Sequence, residues 1–104
     1  MPINERKNDP LFINYNPGIP NNILYVKNIH KKVKKQDLFC IFARYLSKEE
    51  NEEQLKIKLF KFGKMRGQAF ITYNSILSAK KALEETNGFI FFSKPIIVLF
   101  AKKE

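Results

Sequence analysis

The 104-residue sequence predicts one α+β domain in which two helices cover one face of a four-stranded antiparallel sheet. Several short segments alternate apolar and polar residues, which is the period of a half-buried strand, and two others carry apolar residues at helical spacing. These segments follow one another in the order β-α-β-β-α-β. Because two helices cover only one side of such a sheet, its other side is left to face solvent or a ligand.

The first half of the chain is predicted to hold an irregular leader, a strand and a helix. Residues 1–22 contain four of the five prolines, so regular structure is not expected there. An apolar cluster over residues 11–15 favours a leader that packs partly on the domain, and a disordered linker is the open alternative. The segment "NILYVKNI" is typical of a strand. Apolar residues at helical spacing then predict an amphipathic helix from Gln36 to Tyr45.

The second half is predicted to hold the remaining strands and one helix. "LKIKLFKF" alternates strictly, and "GQAFITY" alternates again after a turn at Gly63. A helix is expected over Ser75–Thr86, with Ser75 as its N-cap. "FIFF" predicts a short strand or hairpin arm, and "IIVLFA" the last strand. The domain is therefore expected to span residues 23–103.

The face that the helices leave open combines aromatic rings with cations. Alternation places these residues on it: Tyr25, Lys27, Lys56, Lys58, Phe60, Gln68, Phe70, Thr72, Ile97 and Leu99. An exposed sheet face is normally polar, so bare rings there need a reason. Single-stranded RNA supplies one, because bases stack on rings, lysines neutralise phosphates and amides hydrogen-bond to base edges.

Charge and composition restrict the other functional classes. The net charge of +9 favours an anionic partner. The single Cys40 excludes an intramolecular disulfide, and the sequence shows no zinc-ligand spacing. His30 is the only histidine, so no histidine pair or triad is available for catalysis. We therefore expect a soluble intracellular protein that is not an enzyme, has no cofactor or metal and does not bind membranes.

Two charged segments carry less information. The acidic stretch "KEENEE" is interpreted as solvated. The basic run "HKKVKK" fits either a solvated loop or a clamp on an RNA backbone, and both readings stay open.

Two motifs resemble those of the RNA recognition motif (RRM) family. "LYVKNI", residues 24–29, is similar to the family's RNP2 hexamer, and "RGQAFITY", residues 66–73, to its RNP1 octamer. The resemblance covers about residues 23–103 and implies a ferredoxin-like fold. It also implies that Tyr25 and Phe70 stack on bases, while Arg66 contacts the RNA backbone or an adjacent base.

A narrower resemblance concerns RRMs of spliceosomal ribonucleoproteins. Gln68 stands where RNP1 usually has an aromatic residue, and "KMRGQAF" resembles the stem-loop-binding domains of the U1 snRNP A and U2 snRNP B″ proteins. That likeness implies base or phosphate contacts from Lys27, Asn28, Lys64, Gln68 and Lys102. Lys56 and Lys58 on the open face are further candidates for phosphate contacts.

The leader and the C-terminal segment resemble a third group. "NYNPGIP" and "NGFIFFSKPIIVLFAK" are similar to the C-terminal RRMs of minor-spliceosome 65K proteins and to the related RNA-binding motif protein 41, and the sequence does not separate these two relatives. This implies a nuclear monomer that binds a small nuclear RNA hairpin in pre-mRNA splicing, braced by its leader, with other snRNP proteins as candidate partners. Leu99 replaces a glutamine that several of these relatives carry, so base selection is expected to be relaxed there.

Two alternatives remain open at this point. One is an RRM-fold module that binds proteins; such variants capture a peptide tryptophan through an Arg-x-Phe loop. Here that loop is Gly88-Phe89-Ile90, without the arginine, and Phe70 is retained. The other is a general mRNA-binding RRM.

Overall fold

The computed structural model describes residues 15–102. The apolar residues 11–13 of the leader, and residue 103 at the expected domain end, lie outside this range. The strands are β1 (Ile23–Lys27), β2 (Lys56–Phe60), β3 (Gln68–Thr72), β4 (Ile90–Phe91), β5 (Lys94–Pro95) and β6 (Ile97–Phe100). The helices are α1 (Lys35–Phe42) and α2 (Ile76–Thr86).

The predicted fold is confirmed. Four strands form one sheet in the order β2-β3-β1-β6, with every pair antiparallel, and β4 and β5 form a separate two-stranded hairpin. β1 and β3 are therefore central. Their inward residues Leu24, Val26, Ala69 and Ile71 are completely buried and share one core with residues of both helices. The helices thus cover one face of the sheet.

Both helices begin near the predicted positions. Ser75 caps α2, because its Oγ accepts a hydrogen bond from the Ser78 N–H at 3.1 Å. At the start of α1 the Asp37 carboxylate accepts the Lys34 N–H at 2.8 Å. The α1 helix ends at Phe42, and a 3-10 turn over Ala43–Tyr45 completes the stretch that the apolar spacing predicts as one helix.

The acidic stretch is not merely solvated, which corrects the sequence interpretation. Glu50 accepts hydrogen bonds from the Ser47 N–H at 3.0 Å, the Asn74 N–H at 3.1 Å and the Ser78 hydroxyl at 2.8 Å. Burial raises the pKa of Glu50, but the hydrogen bonds to its carboxylate outweigh burial and hold the pKa below its usual value. Glu50 therefore fastens the loop before β2 to the start of α2.

The leader follows the outer edge of β6. The Tyr15 hydroxyl donates to the Val98 carbonyl at 2.7 Å, and the Phe100 N–H donates to the Pro17 carbonyl at 2.8 Å. Asn21, only 4% exposed, donates to the Ala101 carbonyl at 3.0 Å. These bonds satisfy part of an edge that would otherwise offer unpaired backbone groups.

Within residues 15–102, no helix combines the length and apolar character needed to cross a membrane. The same part of the chain brings no three His, Cys, Asp or Glu side chains together as a metal site.

Candidate nucleic-acid interface

One row of side chains crosses all four strands on the open face. The register pairs Lys58 with Phe70, Phe70 with Tyr25, and Tyr25 with Leu99. At the usual strand spacing the row is about 14 Å wide. The Tyr25 and Phe70 rings point away from the helices, as the alternation predicts. Both are half-buried, whereas the residues next to each of them in sequence, Leu24, Val26, Ala69 and Ile71, are fully buried.

The Tyr25 and Phe70 rings of this row form a continuous aromatic surface with the nearby Phe60 ring. The Tyr25 and Phe70 rings are stacked, with 5.4 Å between centroids and 25° between planes. Phe60 meets Phe70 edge to face at 6.1 Å, and the Lys58 Nζ lies 5.3 Å from the centre of the Phe60 ring. A planar ligand could therefore stack on aromatic rings in the middle of the sheet, with the Lys58 cation on the β2 side of the sheet. We call Tyr25, Phe60 and Phe70 the ring platform.

Gln68 is oriented by the platform. The Tyr25 hydroxyl donates a hydrogen bond to the Gln68 Oε1, which fixes the direction of the amide. The Gln68 Nε2 makes no hydrogen bond within residues 15–102, so it is the amide group available to a ligand. It can donate to an acceptor on a base edge.

Gly67 holds the two central motifs together. Its carbonyl accepts the Ile29 N–H at 3.0 Å, and its own N–H donates to the Phe60 carbonyl at 3.1 Å. Its φ is +80°, and a Cβ there would lie 3.2 Å from the Ile29 carbonyl oxygen. Glycine is therefore required at this position.

A basic depression lies at one end of the open face. It has a volume of about 640 Å³, and the described residues 15–102 contribute five cations and no acidic residue to its lining. The cations are Lys27, Lys31, Lys61, Lys94 and Arg66. Gln68 also lines the depression, so the amide and the cations face the same space. A phosphate group would meet only positive charge there.

The "HKKVKK" run forms one wall of this depression and has a structural anchor. Val33 is buried, and the Lys61 Nζ donates to the carbonyls of Lys31 and Val33 at 3.0 and 2.9 Å. The loop is therefore held in place, with Lys31 at its surface.

Asn28 has a structural task next to the depression. Its backbone adopts φ 63°, and its Nδ2 donates to the Pro95 carbonyl at 2.7 Å. This bond ties the end of β1 to the β4–β5 hairpin. In the same area the His30 ring packs against the Phe92 ring, with 5.3 Å between the ring centroids.

The opposite side of the platform is more apolar. A cavity of about 870 Å³ has Tyr25, Phe70 and Leu99 among its lining residues, together with the leader residues 16–21, Met65 and Lys102. A shallower cavity of about 500 Å³ beside it includes Lys56, Thr72 and Lys102. Basic residues therefore flank the platform at both ends of the sheet.

One apolar residue of the β6 edge is covered. The alternation places Ile97 on the open face beside Leu99, and Ile97 is only 8% exposed. Alternation predicts the side of a sheet on which a residue lies, not whether other parts of the chain cover it. Leu99 remains half-buried and is the apolar member of the row.

The remaining predicted site residues are distributed as follows. Lys64 and Arg66 are exposed in the loop between β2 and β3, because the strand itself begins only at Gln68. Lys64 lines none of the cavities above, whereas Arg66 lines the basic depression. The loop also carries two residues that the sequence interpretation missed, Phe62 and Met65. Phe62 is 88% exposed, and an aromatic residue between Lys61 and Gly63 in a basic turn was the available signal.

Comparisons with known proteins agree with this geometry. The family model for the RNA recognition motif matches residues 24–97. The chain is 47% identical over 100 residues to "RNA-binding region-containing protein 3" of Danio rerio, covering 94% of this chain and 20% of that protein. It is 42% identical over 94 residues to "U11/U12 small nuclear ribonucleoprotein 65 kDa protein" of Arabidopsis thaliana, covering 89% and 21%.

A solved structure gives the same result. The C-terminal RNA recognition motif of the U11/U12 65K protein superposes with a TM-score of 0.83 at 40% identity, covering 99% of this chain and 88% of that chain. The present chain spans about a fifth of the length of the curated relatives it matches. It belongs to the RNA recognition motif family, whose members are RNA-binding modules rather than enzymes.

Proposed function

We propose that the chain binds a hairpin loop of a spliceosomal small nuclear RNA and acts in pre-mRNA splicing in the nucleus. The observation that carries the proposal is the stacked Tyr25–Phe70 pair on the open face, adjoining a depression lined by cations without a carboxylate. The class of RNA is inferred from the Arabidopsis relative, which is named as a protein of the U11/U12 small nuclear ribonucleoprotein.

The ring platform supplies binding energy through the bases. Bases in a hairpin loop are not all paired, so they can be splayed onto aromatic side chains. Stacking contributes about 1–3 kcal/mol per base and tolerates any base, because every base has a π-face. Phe70 and Tyr25 are proposed to carry this contribution, and Phe62 is added as an exposed ring that a further base can reach.

Sequence selection is proposed to come from Gln68. Its Oε1 is occupied by the Tyr25 hydroxyl, so the Nε2 donates to an acceptor on the base above it. Asn28 has the opposite arrangement: its Nδ2 is bonded to Pro95, and a base contact would use Oδ1. Leu99 offers contact area but no hydrogen bond.

The cations are proposed to hold the RNA backbone at both ends of the platform. Lys27 and Arg66, which line the basic depression, are proposed to contact phosphates near the closing end of the loop. Lys56 and Lys102, which line the shallower cavity, are proposed to contact phosphates beyond the other end. Lys58 flanks the β2 side, and Lys64 extends the charge along the exposed loop.

The chain is proposed to be a monomer, because neither edge of the sheet favours pairing with a strand of a second copy. The β6 edge is bonded to the leader, and the β2 edge carries exposed Lys56 and Lys58. Covered and charged edges both oppose strand pairing between copies. Other snRNP proteins are proposed as further partners, because the Arabidopsis relative is named as a ribonucleoprotein component.

The protein-binding alternative has less support in the structure. Phe89, in the loop where such modules hold a tryptophan, packs against the core and lies 4.9 Å from the Phe91 ring. The stacked Tyr25–Phe70 pair lies instead on the open face. A general mRNA-binding role is distinguished from hairpin recognition by comparing the affinities for hairpin and linear RNAs, as follows.

The test is binding to defined RNAs. Each stem-loop of U11 and U12 snRNA is transcribed separately, labelled with fluorescein and titrated by anisotropy at physiological salt. Matched controls keep the stem and scramble the loop, or present the loop as a linear strand. We expect one hairpin to bind at least about tenfold more tightly than both of its controls, a difference of about 1.4 kcal/mol. Equal binding of loop, scramble and linear strand would contradict hairpin recognition.

A further inference from the structure

The cavity of about 870 Å³ beside the leader extends from the ring platform, and two platform rings form part of its lining. Tyr25, Phe70 and Leu99 line it from the sheet, and Pro17, Ile19 and Pro20 line it from the leader. Its volume of about 870 Å³ is within the range of about 300–1,000 Å³ typical of small-molecule pockets. Space and apolar surface for a planar group therefore continue past the two stacked rings.

The leader wall is held in a fixed conformation. Pro17 and Asn21, on either side of Ile19, are bonded to the backbone of residues 100 and 101. Between them the Gly18 N–H donates to the Asn16 side chain at 3.0 Å, and Gly18 has φ +86°. Pro17 and Pro20 restrict the backbone further. Little conformational entropy is lost when a ligand contacts a segment that is already ordered.

Ile19 is the informative residue of this wall. It is 87% exposed, so its side chain contributes almost nothing to the core. Ile19 shares one cavity lining with Tyr25, Phe70 and Leu99, so these side chains form a contiguous apolar patch. Such a patch favours contact with another molecule. Lys102 lies at the rim of the same cavity and gives it a positive charge.

We propose that this cavity is an additional nucleobase site, in which one base next to those on the ring platform packs between Ile19 and Leu99. Lys102 neutralises the phosphate of that nucleotide. The occupant belongs to the same RNA strand, because the floor of the cavity is continuous with the platform and, among residues 15–102, the only charged residue in its lining is the cation Lys102. The lining offers little hydrogen-bonding specificity, so the site accepts different bases. The site depends on the proposed RNA-binding function of the platform.

The test compares two exposed apolar residues. Ile19→Ser alters the cavity wall, and Leu77→Ser alters α2, where Leu77 is 80% exposed on the helical layer. Both variants are titrated with the U11 or U12 hairpin that binds most tightly. Phe70→Ala is titrated with the same hairpin as the reference for the platform. We expect Ile19→Ser to bind about fivefold more weakly, from the loss of apolar contact with the base. Leu77→Ser is expected to bind like the unaltered chain.

The outcomes separate the two proposals. If Phe70→Ala weakens binding and Ile19→Ser does not, the additional site is overturned and the platform stands. If neither variant weakens binding, both are overturned. Crosslinking from 4-thiouridine placed at successive loop positions provides an independent measurement, should Ile19→Ser also lower the Tm. Crosslinks to residues 16–21 support the site, and crosslinks confined to β1 and β3 overturn it.

Discussion

The inner and outer faces of the sheet are made of alternate residues of the same strands, and both are rich in apolar side chains. On β3, Ile71 is completely buried against the helices, while its neighbour Phe70 is half-buried on the open side. The inner residues share one core, whereas the outer Tyr25 and Phe70 rings stack on each other and line a cavity. Apolar character thus serves stability on one face and, in our proposal, RNA binding on the other.

The largest effect is expected on the inner face. Ile71→Ala removes three heavy atoms from a fully buried position and should lower the free energy of unfolding by about 2–5 kcal/mol. Urea denaturation followed by circular dichroism measures this. The fraction that stays folded should bind RNA with unchanged affinity, because Ile71 does not reach the open face. A loss of affinity in the folded protein without a loss of stability would break the comparison.

The basic end of the outer face should govern the salt dependence. Each phosphate contact on a single strand contributes about −0.7 to the slope of log K against log salt. Arg66→Ala is expected to make the slope about 0.7 less steep, with little change in stability because Arg66 is exposed. Lys81→Ala on α2, also exposed, is the matched control and should retain the full slope. Titrations at several salt concentrations show whether the two variants differ.

A smaller effect is expected from the hydrogen bond that orients Gln68. Tyr25→Phe keeps the ring for stacking but removes the hydroxyl that donates to the Gln68 Oε1. We expect a loss of about 0.5–1.5 kcal/mol in affinity for the best hairpin, and a smaller loss for its loop-scrambled control. Equal losses for both RNAs would show that the bond does not contribute to base selection.

The difference between the two faces was largely accessible from the sequence. The alternation in "LYVK" and "GQAFITY" is local. It correctly places Tyr25 and Phe70 on one face of the sheet and Leu24 and Ile71 on the other face. The helix N-cap at Ser75 is equally local. Such features depend on residues that are neighbours in the chain, so a pattern can predict them.

The surroundings of the site depend on contacts between distant segments. The bond from the Phe100 N–H to the Pro17 carbonyl joins residues 83 positions apart, and no periodicity signals it. The burial of Ile97 and the position of Met65 beside the platform also arise from tertiary packing. Glu50 is similar, because its hydrogen-bond partners include Asn74 and Ser78 far along the chain. The platform was predictable, and the walls that give it shape were not.

The most direct test of the outer face is the affinity of Phe70→Ala for the hairpin that the unaltered chain binds best, measured together with its stability. The loss of one stacked base should weaken binding by about 1–3 kcal/mol. The NMR amide spectrum and the urea midpoint should stay close to those of the unaltered chain, because Phe70 lies outside the core. Unchanged affinity in a folded Phe70→Ala variant would contradict the assignment of this face to RNA.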